Sequence, residues 1–150
     1  MQAVVFAIDG QRFALRLAAV QRVVRAVSVT PLPGAPDVVL GAIDVAGTIV
    51  PVLDMRRRFR ATSRGVRASD EFLIATTSRR TVALQVDAAH GVIEHEKSAL
   101  VDPARLAPGL ERFDGVMQLE DGLVLIHDLE AFLSLDEERA LDESIERRRP

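Results

Sequence analysis

Apolar residues along this chain recur in short runs, many of them rich in β-branched side chains, and only near the C-terminus do they fall at helical spacing. Examples are Ala3-Val4-Val5-Phe6-Ala7-Ile8, Ile49-Val50-Pro51-Val52-Leu53, Phe72-Leu73-Ile74-Ala75 and Leu123-Val124-Leu125-Ile126. Runs of this length bounded by turn residues read as strands. The pattern predicts strands near 3–8, 12–17, 22–26, 41–45, 48–53, 71–77, 81–86, 91–94, 115–119 and 123–127. Asp9-Gly10 and Asp121-Gly122 read as two-residue hairpin turns, with Ala46-Gly47 and Ser78-Arg79-Arg80 at the corresponding places. Pro51 inside an apolar run predicts an edge or bulged position, where its missing N–H costs no ladder bond.

Helical signals are few. Asp54 and Asp128 each close a strand and precede an apolar-spaced segment, the position of an N-cap that accepts backbone N–H bonds. Ser134-Leu135-Asp136-Glu137 is a capping-box pattern and predicts a helix over about 134–148. Its apolar stripe, Ala140, Leu141 and Ile145, is thin, so the expectation is a helix at the surface or weakly docked.

The two halves of the strand series are copies of one unit. Phe13-Ala14-Leu15-Arg16-Leu17 and the residues after it lie over Val82-Ala83-Leu84-Gln85-Val86 at an offset of 69. Gly41-Ala42-Ile43-Asp44-Val45 lies over Gly115-Val116-Met117-Gln118-Leu119 at an offset of 74, and the register continues through Asp54 and Asp128. Two ungapped matches in the same order mark a duplication. Five short strands per copy, each apolar on one face, bury their edges best by closing into small barrels. The fold class is therefore mainly β: two pseudo-symmetric five-stranded, SH3-like barrels in a single domain over 1–150. The first barrel is expected over about 1–60, the second over about 70–133, and the C-terminal helix follows.

Composition narrows the chemistry. There is no cysteine, which removes disulfides, thiolate catalysis and Cys-ligated zinc. The net charge of −3 and an aromatic content of 4%, without Trp or Tyr, speak against nucleic-acid binding. No apolar run reaches the length that spans a bilayer, so no direct membrane insertion is expected. The first strand pattern begins at Ala3, leaving no room for a signal peptide, and the expected location is cytoplasmic.

Candidate catalytic and metal-binding groups have plainer accounts. His127 and Asp128 are neighbours on a strand and point to opposite faces, and Asp128 has a repeat mate in Asp54. His90, Glu94, His95 and Glu96 read as solvated polar positions. Arg56-Arg57-Arg58-Phe59-Arg60 reads as a solvated helix face with Phe59 turned inward, or as a contact for an acidic partner. No Gly-rich loop leads from a strand into a long helix, as a phosphate cradle requires. No catalytic residue, cofactor or metal ligand is expected.

The block from Leu40 to Arg56, with Gly41-Ala42-Ile43-Asp44-Val45-Ala46-Gly47 at its head and Pro51-Val52-Leu53-Asp54 at its end, resembles the signature of the CheW-like family, the adaptor domains of bacterial chemotaxis. The Thr30-Pro31-Leu32-Pro33-Gly34 approach, Phe13-Ala14-Leu15, Val20, Val23-Val24-Arg25, Leu84-Gln85-Val86-Asp87 and Gly115 follow in order, so the resemblance covers about residues 3–133. It implies two intertwined five-stranded barrels and a non-catalytic adaptor. Such an adaptor couples the cytoplasmic tip of a chemoreceptor to the regulatory domain of a histidine kinase. It also implies a protein-binding site around Val20, Arg22, Gly41, Asp44, Ala46 and Gly47. The family commonly carries Asn, Arg and Glu where this chain has Asp44, Ala46 and Arg22. The competing readings are a divergent paralogue scaffolding another regulatory kinase system, and a small-molecule-binding barrel.

Overall fold

Tight turns at positions that demand positive φ set the hairpins. In the computed structural model, which describes residues 2–58, 64–94, 100–101 and 113–148, β1 (Gln2–Ile8) turns into β2 (Gln11–Arg16) through Asp9 (φ +49°) and Gly10 (φ +80°). β4 (Val39–Val45) turns into β5 (Thr48–Leu53) through Ala46 (φ +50°) and Gly47 (φ +86°). Positive φ at both central residues matches the right-handed twist of the flanking strands. The equivalent hairpin of the second copy, β10 (Phe113–Leu119) into β11 (Gly122–His127), turns one residue earlier than expected. Leu119 pairs with Gly122, so Glu120 and Asp121 form the tip and Gly122 opens the strand. The remaining strands are β3 (Val20–Arg25), β6 (Glu71–Thr76), β7 (Thr81–Val86), β8 (Ala88–Glu94) and the short β9 (Leu100–Val101), for which the strand pattern has no counterpart.

Strand pairing corrects the expected division at residues 60–70. One sheet runs β8-β1-β2-β11-β10-β9 and the other β3-β6-β7-β5-β4. Neither sheet belongs to one copy. The β1–β2 hairpin of the first copy completes the sheet of the second, and the β6–β7 hairpin of the second completes that of the first. The joints are parallel pairs related by the repeat: Ile126 with Ala14, and Val52 with Ala83. A register shift before Gly41 recurs before Gly115. The physical reason is that periodicity fixes which residues face inward but carries no record of which copy a hairpin pairs with.

The two barrel interiors state this symmetry residue by residue. Ile43, Val50, Val52, Phe72, Ile74 and Ala83 fill one, and Met117, Val124, Ile126, Ala3, Val5 and Ala14 fill the other. Each residue of the second set is the repeat mate of one in the first, at the offsets of 69 and 74. Between the barrels lies a larger shared core, to which Phe6, Phe13 and Leu15 come from one sheet and Leu73, Leu84 and Val86 from the other. Pro51 is not on an edge: β5 lies between β4 and β7, and the pairing with β7 begins at Val52, one residue beyond it.

Asp54 and Asp128 both cap. Asp54 Oδ1 accepts from the Arg57 N–H at 3.2 Å at the start of α1 (Met55–Arg58), and Asp128 Oδ1 from the Glu130 N–H at 3.1 Å at a single three-ten turn. The capping box forms as expected at α2 (Leu135–Arg148): Ser134 Oγ accepts from the Glu137 N–H, and Glu137 Oε1 accepts from the Ser134 N–H. The helix is more firmly docked than its stripe suggests. Leu141 is fully buried in the shared core, and one Arg58 guanidinium nitrogen donates to both Glu137 carboxylate oxygens at 2.6 and 2.7 Å. Arg80 holds both Glu138 and Asp142. Ion pairs add to the apolar docking of Leu141 and Ile145, and apolar spacing alone does not report them.

Candidate protein-binding site

Six residues were singled out around the β4–β5 hairpin, and the structure places them in two groups. Gly41 is buried beneath the first. A Cβ there would lie 2.3 Å from the Thr30 carbonyl oxygen and 2.7 Å from Val29 Cγ1. Only glycine lets the segment after β3 cross this strand, where Thr30 and Ala42 exchange two backbone bonds at 2.9 and 2.8 Å. That crossing leaves a groove of about 220 Å³, lined by Val27, Thr30, Leu32, Ile43, Asp44 and Ile49 among others. Asp44 Oδ1 accepts from the Gly47 N–H at 2.7 Å and braces the exposed turn that carries Ala46. Gly41 therefore shapes the surface, while Asp44, Ala46 and Gly47 present it.

Val20 and Arg22 form the second group on β3. Val20 is half-buried against the shared core, and the exposed Arg22 stands opposite Ile74 with no ion pair among the described residues. β3 and β4 are the two outer strands of their sheet, and no ladder joins them. Arg22 and Ala46 are thus on opposite edges, without a hydrogen bond between them.

Sequence reasoning missed the exposed apolar residues. Val23 and Ile49 are 38% and 39% exposed, and their repeat mates Val92 and Leu123 are 51% and 49% exposed. The exposed apolar side chains thus fall at mated positions of both barrels. The repeat alignment carries this signal once exposure is known.

The basic run 56–58 is not a free docking patch. Arg56 is 1% exposed and pairs with Asp87 and with Asp9 at the tip of the β1–β2 hairpin. Arg57 reaches Asp37, and Arg58 stacks on the Phe132 ring, its carbon 5.3 Å from the centroid, as well as pairing with Glu137. Phe59 and Arg60 lie outside the described residues. Arg64 joins Asp70 and Asp87 in the same network. Burial alone would raise Asp70, but its bonds from Arg64, the Arg67 N–H and Gln85, with the Arg64 charge, hold its carboxyl well below the usual range. The repeat mate of Arg56 is Glu130, and it makes the equivalent latch: Glu130 accepts from Ser78 N–H and Oγ at the tip of the β6–β7 hairpin. Each exchanged hairpin is therefore fastened at its tip by the residue two beyond a capping aspartate.

His127 is buried between Phe113 and Phe132, with ring centroids 5.6 Å away on each side. Asp128 is occupied as a cap, and burial together with the Asp114 charge pushes its carboxyl up. His90 and Glu94 are exposed on β8, while His95 and Glu96 lie outside the described residues. Among the described residues no three His, Cys, Asp or Glu side chains gather as a metal site, and no helix is long and apolar enough to cross a membrane.

Two small barrels built by strand exchange, with mated apolar residues exposed on both, define a tandem-barrel interaction domain. The chain belongs to the CheW-like family, whose domain model matches residues 2–137. It is 24% identical over 139 residues to a chemotaxis protein CheW of Rhizobium meliloti and to a probable one of Rhizobium etli, covering 91% of this chain and 90% of either relative. It is similar in structure to the scaffolding protein TtCheW from Thermoanaerobacter tengcongensis, with a TM-score of 0.81, 27% identity, and coverage of 91% of this chain and 94% of that one.

Proposed function

We propose that this chain is a non-catalytic adaptor of chemotaxis-type signalling, which joins a receptor's cytoplasmic tip to the regulatory domain of a histidine kinase. The observation that carries this reading is the superposition of nearly the whole chain on a CheW scaffolding protein, at a TM-score of 0.81. The exposed Arg22, Asp44, Ala46 and Gly47, with the half-buried Val20, supply the receptor-facing contacts, and Gly41 holds the crossing beneath the β4–β5 hairpin. A groove with an apolar floor and a carboxylate at its rim suits a helical partner that inserts one or two apolar side chains. The test is reconstitution: kinase, receptor fragment and this chain are combined, and kinase autophosphorylation is followed. The adaptor role predicts that receptor control of the kinase appears when the chain is added. Receptor control that is unchanged by the chain contradicts it.

A further inference from the structure

A second groove adjoins the one beside the β4–β5 hairpin, and the two share a ridge of chain. Residues 26–29 follow β3 outside any strand or helix, and the ridge they form is tied at both ends. The Ala26 N–H donates to the Asp70 carbonyl at 3.0 Å, and Thr30 exchanges its two backbone bonds with Ala42. Between these ties Val29 packs against the interior of the first barrel, whereas Val27 is 53% exposed. Val27 and Ser28 line the hairpin groove of about 220 Å³, and they also line an open groove of about 780 Å³ that reaches residues 65–68. Leu40 and Val66 give this larger groove apolar walls.

Each groove has one charged residue among the described residues that line it, and the two differ in sign. The hairpin groove has Asp44 and the larger one Arg67. Both are exposed, and neither makes an ion pair among the described residues. Asp44 accepts the Gly47 N–H and otherwise faces solvent. Arg67 uses only its backbone N–H, which donates to Asp70, while the Asp70 carboxylate is neutralised by Arg64. A partner that covers these two charges strips their water, so it must supply the opposite charge at each. An apolar ridge with a free acid in one flanking groove and a free base in the other therefore accepts a partner in one orientation.

We propose that the receptor helix on the hairpin groove also covers the Val27 ridge and the larger groove, presenting Lys or Arg to Asp44 and Asp or Glu to Arg67. This rests on the receptor-facing reading of the hairpin, and it adds a polarity and a residue outside that group, Arg67. Apolar residues at helical spacing on the partner pack against Val27, Leu40 and Val66. A helix with the two charges exchanged meets like charge at both ends and is rejected.

Calorimetric titration of the full chain with the receptor-tip fragment used in the reconstitution, in low and high salt, tests the proposal. Asp44→Asn keeps an oxygen for the Gly47 N–H and removes only the charge. It is expected to weaken binding by roughly threefold or more. Arg67→Glu reverses the charge and is expected to weaken binding by roughly tenfold, whereas Arg67→Lys stays close to wild type. High salt narrows these differences. Both positions are exposed, and a circular-dichroism melt confirms that each variant folds. If the wild type binds and Arg67→Glu binds equally well, the proposal is overturned while the adaptor reading stands. Arg67→Lys as weak as Arg67→Glu overturns it too, since charge is then not what is read. A wild type that does not bind the fragment removes both. Self-association that Arg67→Glu abolishes, followed by sedimentation velocity, assigns the ridge to a second copy and likewise overturns the proposal.

Discussion

At the scale of single residues, backbone geometry decides more of this surface than side-chain chemistry does. Gly41 has a φ of +152° and a carbonyl oxygen where its Cβ would be. Gly41→Ala must push the Thr30 crossing away from β4 and break its two backbone bonds. We expect a loss of about 2–4 kcal/mol, the range of strain with broken hydrogen bonds, read as a lowered denaturant midpoint. An unchanged midpoint refutes the reading of the crossing as rigid. Arg22 and Ala46 are different, since both are exposed and stand on opposite edges of a sheet. Arg22→Glu together with Ala46→Arg restores the residues common in the family. It is expected to leave the melting temperature nearly unchanged, because exposed charges contribute about 0–1 kcal/mol. It is also expected to strengthen binding to an ordinary receptor tip, because interface charges select partners. Equal binding by wild type and double variant, titrated against one receptor fragment, shows the two departures to be neutral.

At the scale of elements, the strands were legible and their fastenings were not. Runs such as Phe72-Leu73-Ile74-Ala75 and turns such as Asp9-Gly10 carry their structure locally, so they appear where the pattern puts them. Docking of α2 does not, because Arg58–Glu137 and Arg80–Glu138 join residues 79 and 58 positions apart. The run 56–58 misleads for the same reason: its charges are met by Asp9, Asp87, Asp37 and Glu137, which no local window contains. These pairs give the fold an acid dependence with a definite sign. Asp70, Asp87 and Glu137 all have burial pushing their carboxyls up, outweighed by hydrogen bonds and arginine charges that hold them below their ordinary values. A carboxylate depressed in the folded state adds stability above its unfolded pKa, about 4, and loses it as pH falls toward the folded value. Melting temperature should thus be level near neutrality and fall steeply below about pH 4. Arg64→Met, which frees Asp70 of its main partner, should lower stability at neutral pH and make the acid-side fall shallower. A slope identical to wild type removes this pair from the account.

At the scale of the whole molecule, duplication was legible in the residue pattern, whereas exchange came only through the family resemblance, which implied intertwined barrels, as the strand orders bear out. The offsets of 69 and 74 identify every mated pair of interior residues, from Val5 and Ile74 to Val52 and Ile126. They do not say that Val5 packs with Ile126 and not with Val52, because both choices satisfy the same pattern. Exchange binds the barrels into one body with a shared core, which holds two surfaces at a fixed distance. That rigidity is what an adaptor needs, since the arrangement of one bound partner is passed to the other through the frame. The proposed adaptor role requires that this frame hold receptor and kinase together. Its most direct measurement is calorimetric titration of the kinase regulatory domain into the full chain, first alone and then with the chain saturated by a receptor-tip fragment. Binding in the micromolar range is expected in both titrations. No heat at high concentration, or loss of kinase binding when the receptor fragment is present, contradicts it.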